Sequence, residues 1–228
     1  MIIGAGQQFP PNNSHCKALL RLDADITDYS ADALTVTNNG SFGFGNPGSV
    51  PFGADAAYLE NATGNEGDNI QITYASKLAI GTKPYTISMW IYPKALKGFR
   101  TLLSNDATPG TRQTSIYLEG VAFRYYTKGA YRLLLADTGM TINNWYHLVV
   151  ARESTASNKL KLFINGALKS TYYDNSDNDY TSDWYVGLSK DTTNLDVING
   201  FYGYVKGVQI HIGQCLYNRA FTPPNRAS

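Results

Sequence analysis

Three sets of side chains in this 228-residue sequence have the types and spacing that chemistry needs. The first is acidic. Glu66 and Asp68 stand two apart, so an extended strand would put both on one face. Retaining hydrolysis of a glycosidic bond requires two carboxyl groups about 5 Å apart, one of them with a raised pKa. Gly64 and Gly67, however, make this stretch read as a turn more than a catalytic strand. The second set could hold calcium, which takes oxygen ligands. Asp23, Asp25 and Asp28 form one oxygen-rich cluster, and Asp174, Asp177 and Asp179 another. The latter lacks the glycine and distal glutamate of an EF-hand loop, because Asp179 and Tyr185 occupy those places. Solvated turns have the same composition. The third set is aromatic: Tyr85, Tyr125, Tyr131, Trp184 and Tyr185 could stack on sugar rings while Asn and Asp side chains read hydroxyls. Strand faces also use tyrosine simply for packing.

Other chemistries have no footprint. The three histidines, His15, His147 and His211, are far apart, and there is neither a G-x-S-x-G nucleophile motif nor C-x-x-C zinc spacing. His147 reads as a packed, hydrogen-bonded strand residue. The net charge is +1 and the cations are scattered, so the clustered charge that binds nucleic acid through counterion release is missing. No apolar run is long enough for a membrane-spanning helix. The first 14 residues lack the charged and apolar regions of a secretory signal, which leads us to expect synthesis and assembly in a host cytoplasm. Charged residues make up 16% of the chain and tyrosine contributes 17 residues, a balance suited to glycan or protein contact.

The elements that would position these groups are strands. From Trp145 to Arg152 the side chains alternate at period two: Tyr146, Leu148 and Val150 share one face, Trp145, His147 and Val149 the other. After a polar break at 154–158 the alternation resumes through Leu160, Leu162 and Ile164. Asn165-Gly166 then marks a type I′ turn, whose two central residues need positive φ. Further strands are expected at 34–36, 57–60, 69–73, 85–92, 99–104, 114–118, 121–126, 131–136, 184–188 and 201–212, with one helical turn at 76–80. The Gly- and Pro-rich segment 40–48 reads as a rim loop carrying Phe42 and Phe44. About thirteen short strands without a long helix predict an all-β, two-sheet antiparallel β-sandwich. The expected organisation is an N-terminal arm at 1–14, one sandwich domain at 15–224 and a tail at 225–228.

Five stretches in order carry a more specific signal: 85–93 (YTISMWIYP), 145–152 (WYHLVVAR), 162–166 (LFING), 201–205 (FYGYV) and 221–224 (FTPP). Together they resemble the laminin G-like members of the concanavalin-like jelly-roll superfamily, of the kind found in bacteriophage virion proteins. With 19–23 as the opening strand, the resemblance covers about residues 17–224. It implies a jelly roll whose first and last strands are neighbours, with Leu19 near Gln209 or Ile210. Cys16 would then fall close to Cys215, either bonded or as two reduced thiols. The superfamily also includes laminarinase-type hydrolases with three carboxylates on alternate strand positions. Here Ile72 occupies the place of the acid, so no enzyme is expected. Many laminin G-like domains bind calcium at the sandwich rim, which makes calcium the one cofactor to consider. Lys206-Gly207 replaces an acidic pair usual in the resembled pattern. The function implied is a non-enzymatic virion part: capsid decoration, cement or tail-fibre module. Its expected partners are other virion proteins, further copies of itself and glycans, without nucleic acid or membrane insertion. The alternative is a soluble lectin-type module; a glycoside hydrolase is the remote one.

Overall fold

The computed structural model describes residues 13–61, 67–105, 113–153, 159–189 and 200–224. Residues 1–12 of the expected arm, Glu66, the break at 154–158 and the 225–228 tail lie outside these. In chain order the strands are β1 (Cys16–Leu20), β2 (Val36–Asn39), β3 (Gly43–Gly45), β4 (Ala56–Glu60), β5 (Asn69–Ile72), β6 (Tyr85–Pro93) and β7 (Phe99–Ser104). They continue as β8 (Thr114–Glu119), β9 (Ala122–Thr127), β10 (Ala130–Leu135), β11 (Tyr146–Arg152), β12 (Lys159–Ile164), β13 (Ala167–Tyr173), β14 (Trp184–Val186) and β15 (Tyr202–Ile212). A single 3-10 turn, Ser76–Leu78, stands where the helical turn is expected.

Two antiparallel sheets stack as the predicted sandwich. The eight-stranded sheet runs β13-β12-β11-β6-β15-β4-β3, with β1 also paired to β15; the seven-stranded sheet runs β10-β9-β8-β7-β14-β5-β2. β3 departs from expectation. Its Gly-Phe-Gly sequence reads as loop, yet it pairs with β4 as a short edge strand. Phe42 turns into the core while Phe44 stays exposed.

Period two sets the core. In β6, Tyr85, Ile87, Met89 and Ile91 point inward, and they meet Ile70, Ile72, Leu103, Ile116, Leu118 and Phe123 from the other sheet. Burying one such side chain contributes about 1.5–3 kcal/mol. In β15 the alternation is broken by a bulge at Gly207, across which the pairing with β6 shifts. The extra residue lets both Val205 and Val208 face the core. The β12–β13 turn is type I′ as predicted, with φ of 50° at Asn165 and 76° at Gly166.

One end of the sandwich is closed by a buried charge. Arg152 ends β11 pointing inward and is 1% exposed. Its guanidinium donates to the carbonyls of Gly81 (2.5 Å), Lys83 (2.8 Å) and Ser176 (2.8 Å) and pairs with Asp174 Oδ2 at 3.3 Å. It also lies 4.9 Å from the centre of the Tyr85 ring. Asp174 accepts in addition from Ser176 N–H and Oγ.

The two cysteines do not form the disulfide considered above: both are free. β1 and β15 pair as expected, Leu19 opposite Gln209 and Ala18 opposite Ile210. At Gly213 the chain then leaves the sheet edge and carries Cys215 across β6 to the Val149–Ala151–Phe163 cluster. Gln214 and Leu216, on either side of Cys215, both bond to Thr86 of β6, so β15 stands between the two cysteines, about 10 Å at ordinary strand spacing and beyond disulfide reach. Burial raises the thiol pKa values to about 12 and about 11, respectively, keeping both protonated.

Removing one partner of a buried ion pair costs about 3–5 kcal/mol, because the other charge is left uncompensated. Arg152→Met should lower unfolding stability in urea by about that amount, whereas a loss under about 1 kcal/mol would contradict the role given to this side chain.

Candidate functional site

The outer face of the eight-stranded sheet is unusual because most of it is covered. After Gly213 the chain forms a strap over β6, β11 and β12. Leu216 N–H donates to Thr86 Oγ1 at 2.9 Å, and Lys161 Nζ donates to the Asn218 carbonyl at 2.6 Å. Tyr217 and Phe221 stack at 3.8 Å, and Phe221 lies against Phe163 and His147. The strap crosses directly above the β12–β13 turn: a Cβ on Gly166 would sit 1.8 Å from the Phe221 carbonyl oxygen. Glycine is needed at 166 for its φ and for this crossing alike. On the other flank, Phe52 and Leu19 pack over Trp90. Lys206, completely buried, lies 4.7 Å from the Phe52 ring centre and donates to the Asp55 carbonyl. Burial lowers its pKa to about 8, against the opposing pull of Asp23 and Asp55.

Beyond the Phe52 flank, toward the end of β6, a strip of aromatic side chains stays half-exposed. Tyr204 in β15 sits opposite Tyr92 in β6 on one side and Tyr58 in β4 on the other. Trp145 continues the row beyond Tyr92, and Tyr202, two residues before Tyr204 on β15, also packs against Tyr58. Successive ring centres from Trp145 to Tyr202 are 5.4, 5.8, 4.7 and 6.2 Å apart. All five rings are half-buried. The Tyr58 phenol pKa is raised by burial, by its hydrogen bond to Tyr202 and by the nearby Glu60 charge. Such a row presents rigid apolar faces with hydroxyls at their edges, a surface that stacks on sugar rings and exchanges hydrogen bonds with their hydroxyls.

At the Tyr58 end the strip opens into a cleft of about 420 Å³, lined by residues 40–43 and by Tyr58, Glu60, Gly67 and Asp68. Asp68 holds its floor: one carboxylate oxygen accepts from Ser41 N–H at 2.8 Å and the other from Glu60 N–H at 3.0 Å. Asn61 binds the Asp68 backbone from both sides of its amide group. The Glu60 side chain is exposed and has no partner among the described residues.

The sugar-stacking candidates read from the sequence are for the most part placed elsewhere. Tyr85, Tyr125 and Trp184 are core residues, at most 1% exposed, and the two phenols bond each other at 2.7 Å between the sheets. Tyr131 is 43% exposed on β10, and Tyr185 is half-buried on β14, four strands further along the seven-stranded sheet. The sequence did hold the signal for the strip. In 85–93, alternation puts Tyr92 in phase with Thr86 and Ser88, away from Ile87 and Ile91; Tyr202 and Tyr204 alternate with Gly203 and Val205 in the same way.

The acidic clusters are engaged in holding turns. Asp28 accepts from the N–H groups of Leu19, Ser30 and Leu34; Asp25 from Thr27 and Tyr29; and Asp23 pairs with Arg21. Asp174 belongs to Arg152, while Asp177 and Asp179 are exposed. Among the described residues no three acidic, His or Cys side chains gather where a metal ion would sit. No second carboxylate among the described residues lining the cleft is left to work with Glu60 as a catalytic pair.

A family model described as the concanavalin A-like lectin/glucanases superfamily matches residues 63–224, and the chain belongs to that family. The comparison with curated proteins gave no match. Among solved structures, the binding domain of Paraclostridial Mosquitocidal Protein 1 is similar at a TM-score of 0.68 and 15% identity, over 93% of this chain and 51% of that one. Domain 4 of AbnA, an extracellular arabinanase of Geobacillus stearothermophilus solved with arabinotriose, is similar at 0.59 and 18%, over 88% and 93%. Botulinum neurotoxin type C, whose cell entry depends on two ganglioside molecules, is similar at 0.64 and 14%, over 86% and 47%. The chain thus spans about half the length of the toxin structures and nearly all of the arabinanase domain. At these identities the likeness establishes the fold.

The covered half of this face makes a pH prediction. Burial holds His147 at about 3 and His211 at about 4, both below the ordinary 6.5, so both are neutral in the folded chain. The unfolded chain takes up those protons below about 6.5. Stability is therefore full above 6.5 and falls as pH drops toward 4, by up to about 1.4 kcal/mol per pH unit for each histidine. Urea midpoints measured from pH 7.5 to 4 should decline through that window, and less steeply in His147→Phe. A midpoint flat with pH would contradict the assignment.

Proposed function

We propose that this chain is a non-catalytic glycan-binding module whose ligand lies along the Trp145–Tyr92–Tyr204–Tyr58–Tyr202 strip. The observation that carries the reading is the continuous row of half-exposed aromatics, left open on a sheet face that the strap and Phe52 cover nearby. A saccharide chain laid across four adjacent strands meets ring after ring, about 14 Å from the first strand to the last. Fold relatives add support: one is the binding domain of a mosquitocidal protein, and another, a domain of an arabinanase, was solved with arabinotriose. Non-catalytic action fits the environment of the acidic groups: Asp68 is tied to backbone amides and Glu60 stands alone in the cleft.

Isothermal titration against linear arabino-, xylo- and gluco-oligosaccharides tests the reading. Tyr204→Ala and Tyr92→Ala should each weaken binding about tenfold with little effect on unfolding, as loss of a stacking contact does. Unchanged affinity in both variants would sink the strip as the site.

In the same reading the module is carried on a bacteriophage particle, as capsid decoration, cement or part of a tail fibre. What supports this is the order of the motifs at 85–93, 145–152, 162–166, 201–205 and 221–224 and their likeness to virion jelly rolls. Antibody labelling of purified particles, with mass-spectrometric copy counting, is expected to find the chain on the particle surface. Its absence from particles would discard the virion setting and leave a soluble lectin.

A further inference from the structure

We infer that the cleft at the end of the strip is a selective subsite: it holds one ring of a neutral sugar by accepting a vicinal pair of hydroxyls on Glu60, and it rejects acidic sugars. The inference rests on the strip reading, since the ring it holds belongs to the chain stacked there. Its volume of about 420 Å³ falls within the range of small-molecule pockets. Tyr58 is common to strip and cleft, so a ligand leaves one and enters the other without a gap.

The glycines of the lining carry the argument furthest. Gly43 lies directly opposite Tyr58 across the β3–β4 pair. Its φ is not in the left-handed region, and a Cβ added there would meet nothing within 4 Å. The same holds for Gly67. Neither backbone conformation nor packing calls for glycine at these places, and a glycine within a strand weakens it. What the missing side chains do leave is the open space beside Tyr58 and Glu60.

The chemistry of the lining sets the ligand class. Among the described residues its charged side chains are Glu60 and Asp68, and no cation lines the cleft. Both Asp68 oxygens already accept backbone N–H groups, and they fix the β4 end from which Glu60 projects. A carboxylate has two oxygens with room for several donors, so an exposed one is suited to a pair of adjacent hydroxyls. A uronic or sialic carboxylate brought into the same space would face like charge with nothing to offset it, which is discrimination through repulsion.

The test titrates wild type, Glu60→Gln, Gly43→Leu and Tyr204→Ala with neutral arabino-, xylo- and gluco-oligosaccharides and with oligogalacturonate. Circular dichroism confirms that each variant is folded. Wild type should bind at least one neutral series and not oligogalacturonate. Glu60→Gln should weaken neutral binding about tenfold, the value of a charge-assisted hydrogen bond, and narrow the preference over oligogalacturonate. Gly43→Leu should weaken binding by filling the cleft. If Glu60→Gln and Gly43→Leu keep both affinity and preference while Tyr204→Ala loses binding, the subsite is overturned and the strip stands. If wild type binds none of the neutral series, the underlying reading falls, and the subsite with it.

Discussion

The Arg152 guanidinium is the interaction on which the rest of the sandwich depends. A charge this deep is tolerated only when every donor is met, and here three backbone carbonyls, a carboxylate and an aromatic face do so together. Its partners come from the approach to β6 and from the loop after β13, two regions far apart in sequence that also bond each other through Asn178 N–H and the Gly81 carbonyl. By fixing β11 to these loops it sets the register of the meander β6-β11-β12-β13. That register in turn decides which residues of β6 and β11 face outward. Trp145 and Tyr92 reach the surface because Tyr146, Ile91 and Arg152 are committed inward.

The fold was legible in the sequence wherever local signals agreed. Alternation in 85–93 and 145–152, the I′ turn at Asn165-Gly166 and the lack of any helix period all point to the same sandwich. The family motifs supplied the neighbour relation of β1 and β15. What was not legible depends on long-range arrangement. β3 exists because β4 offers an open edge, not because Gly-Phe-Gly favours a strand. The separation of Cys16 from Cys215 follows from a turn at Gly213 that carries the chain over β6, away from β1. The acidic loops look like ion sites in composition, but Asp28 and Asp174 turn out to be satisfied by amides and by arginine.

The candidate site was legible in part and misassigned in part. That tyrosine would be prominent at the surface follows from composition, and the choice among tyrosines requires phase. Tyr85 and Tyr92 lie in one strand, seven residues apart, and odd spacing puts them on opposite faces. Tyr85 went to the core and Tyr92 to the strip. The covering strap could not be foreseen from period two, since it buries the face that alternation leaves outward; Val149, Ala151 and Phe163 are apolar on that face for this reason.

The three tryptophans divide this architecture among themselves. Trp184 is sealed in the core, Trp90 lies beneath Phe52 on the outer face, and Trp145 stands half-exposed at the start of the strip. The protein thus carries built-in optical labels for three different events. Emission from Trp184 reports on the integrity of the sandwich and that from Trp90 on the lifting of its cover. Trp145 alone is placed to change colour when something settles on the tyrosine row.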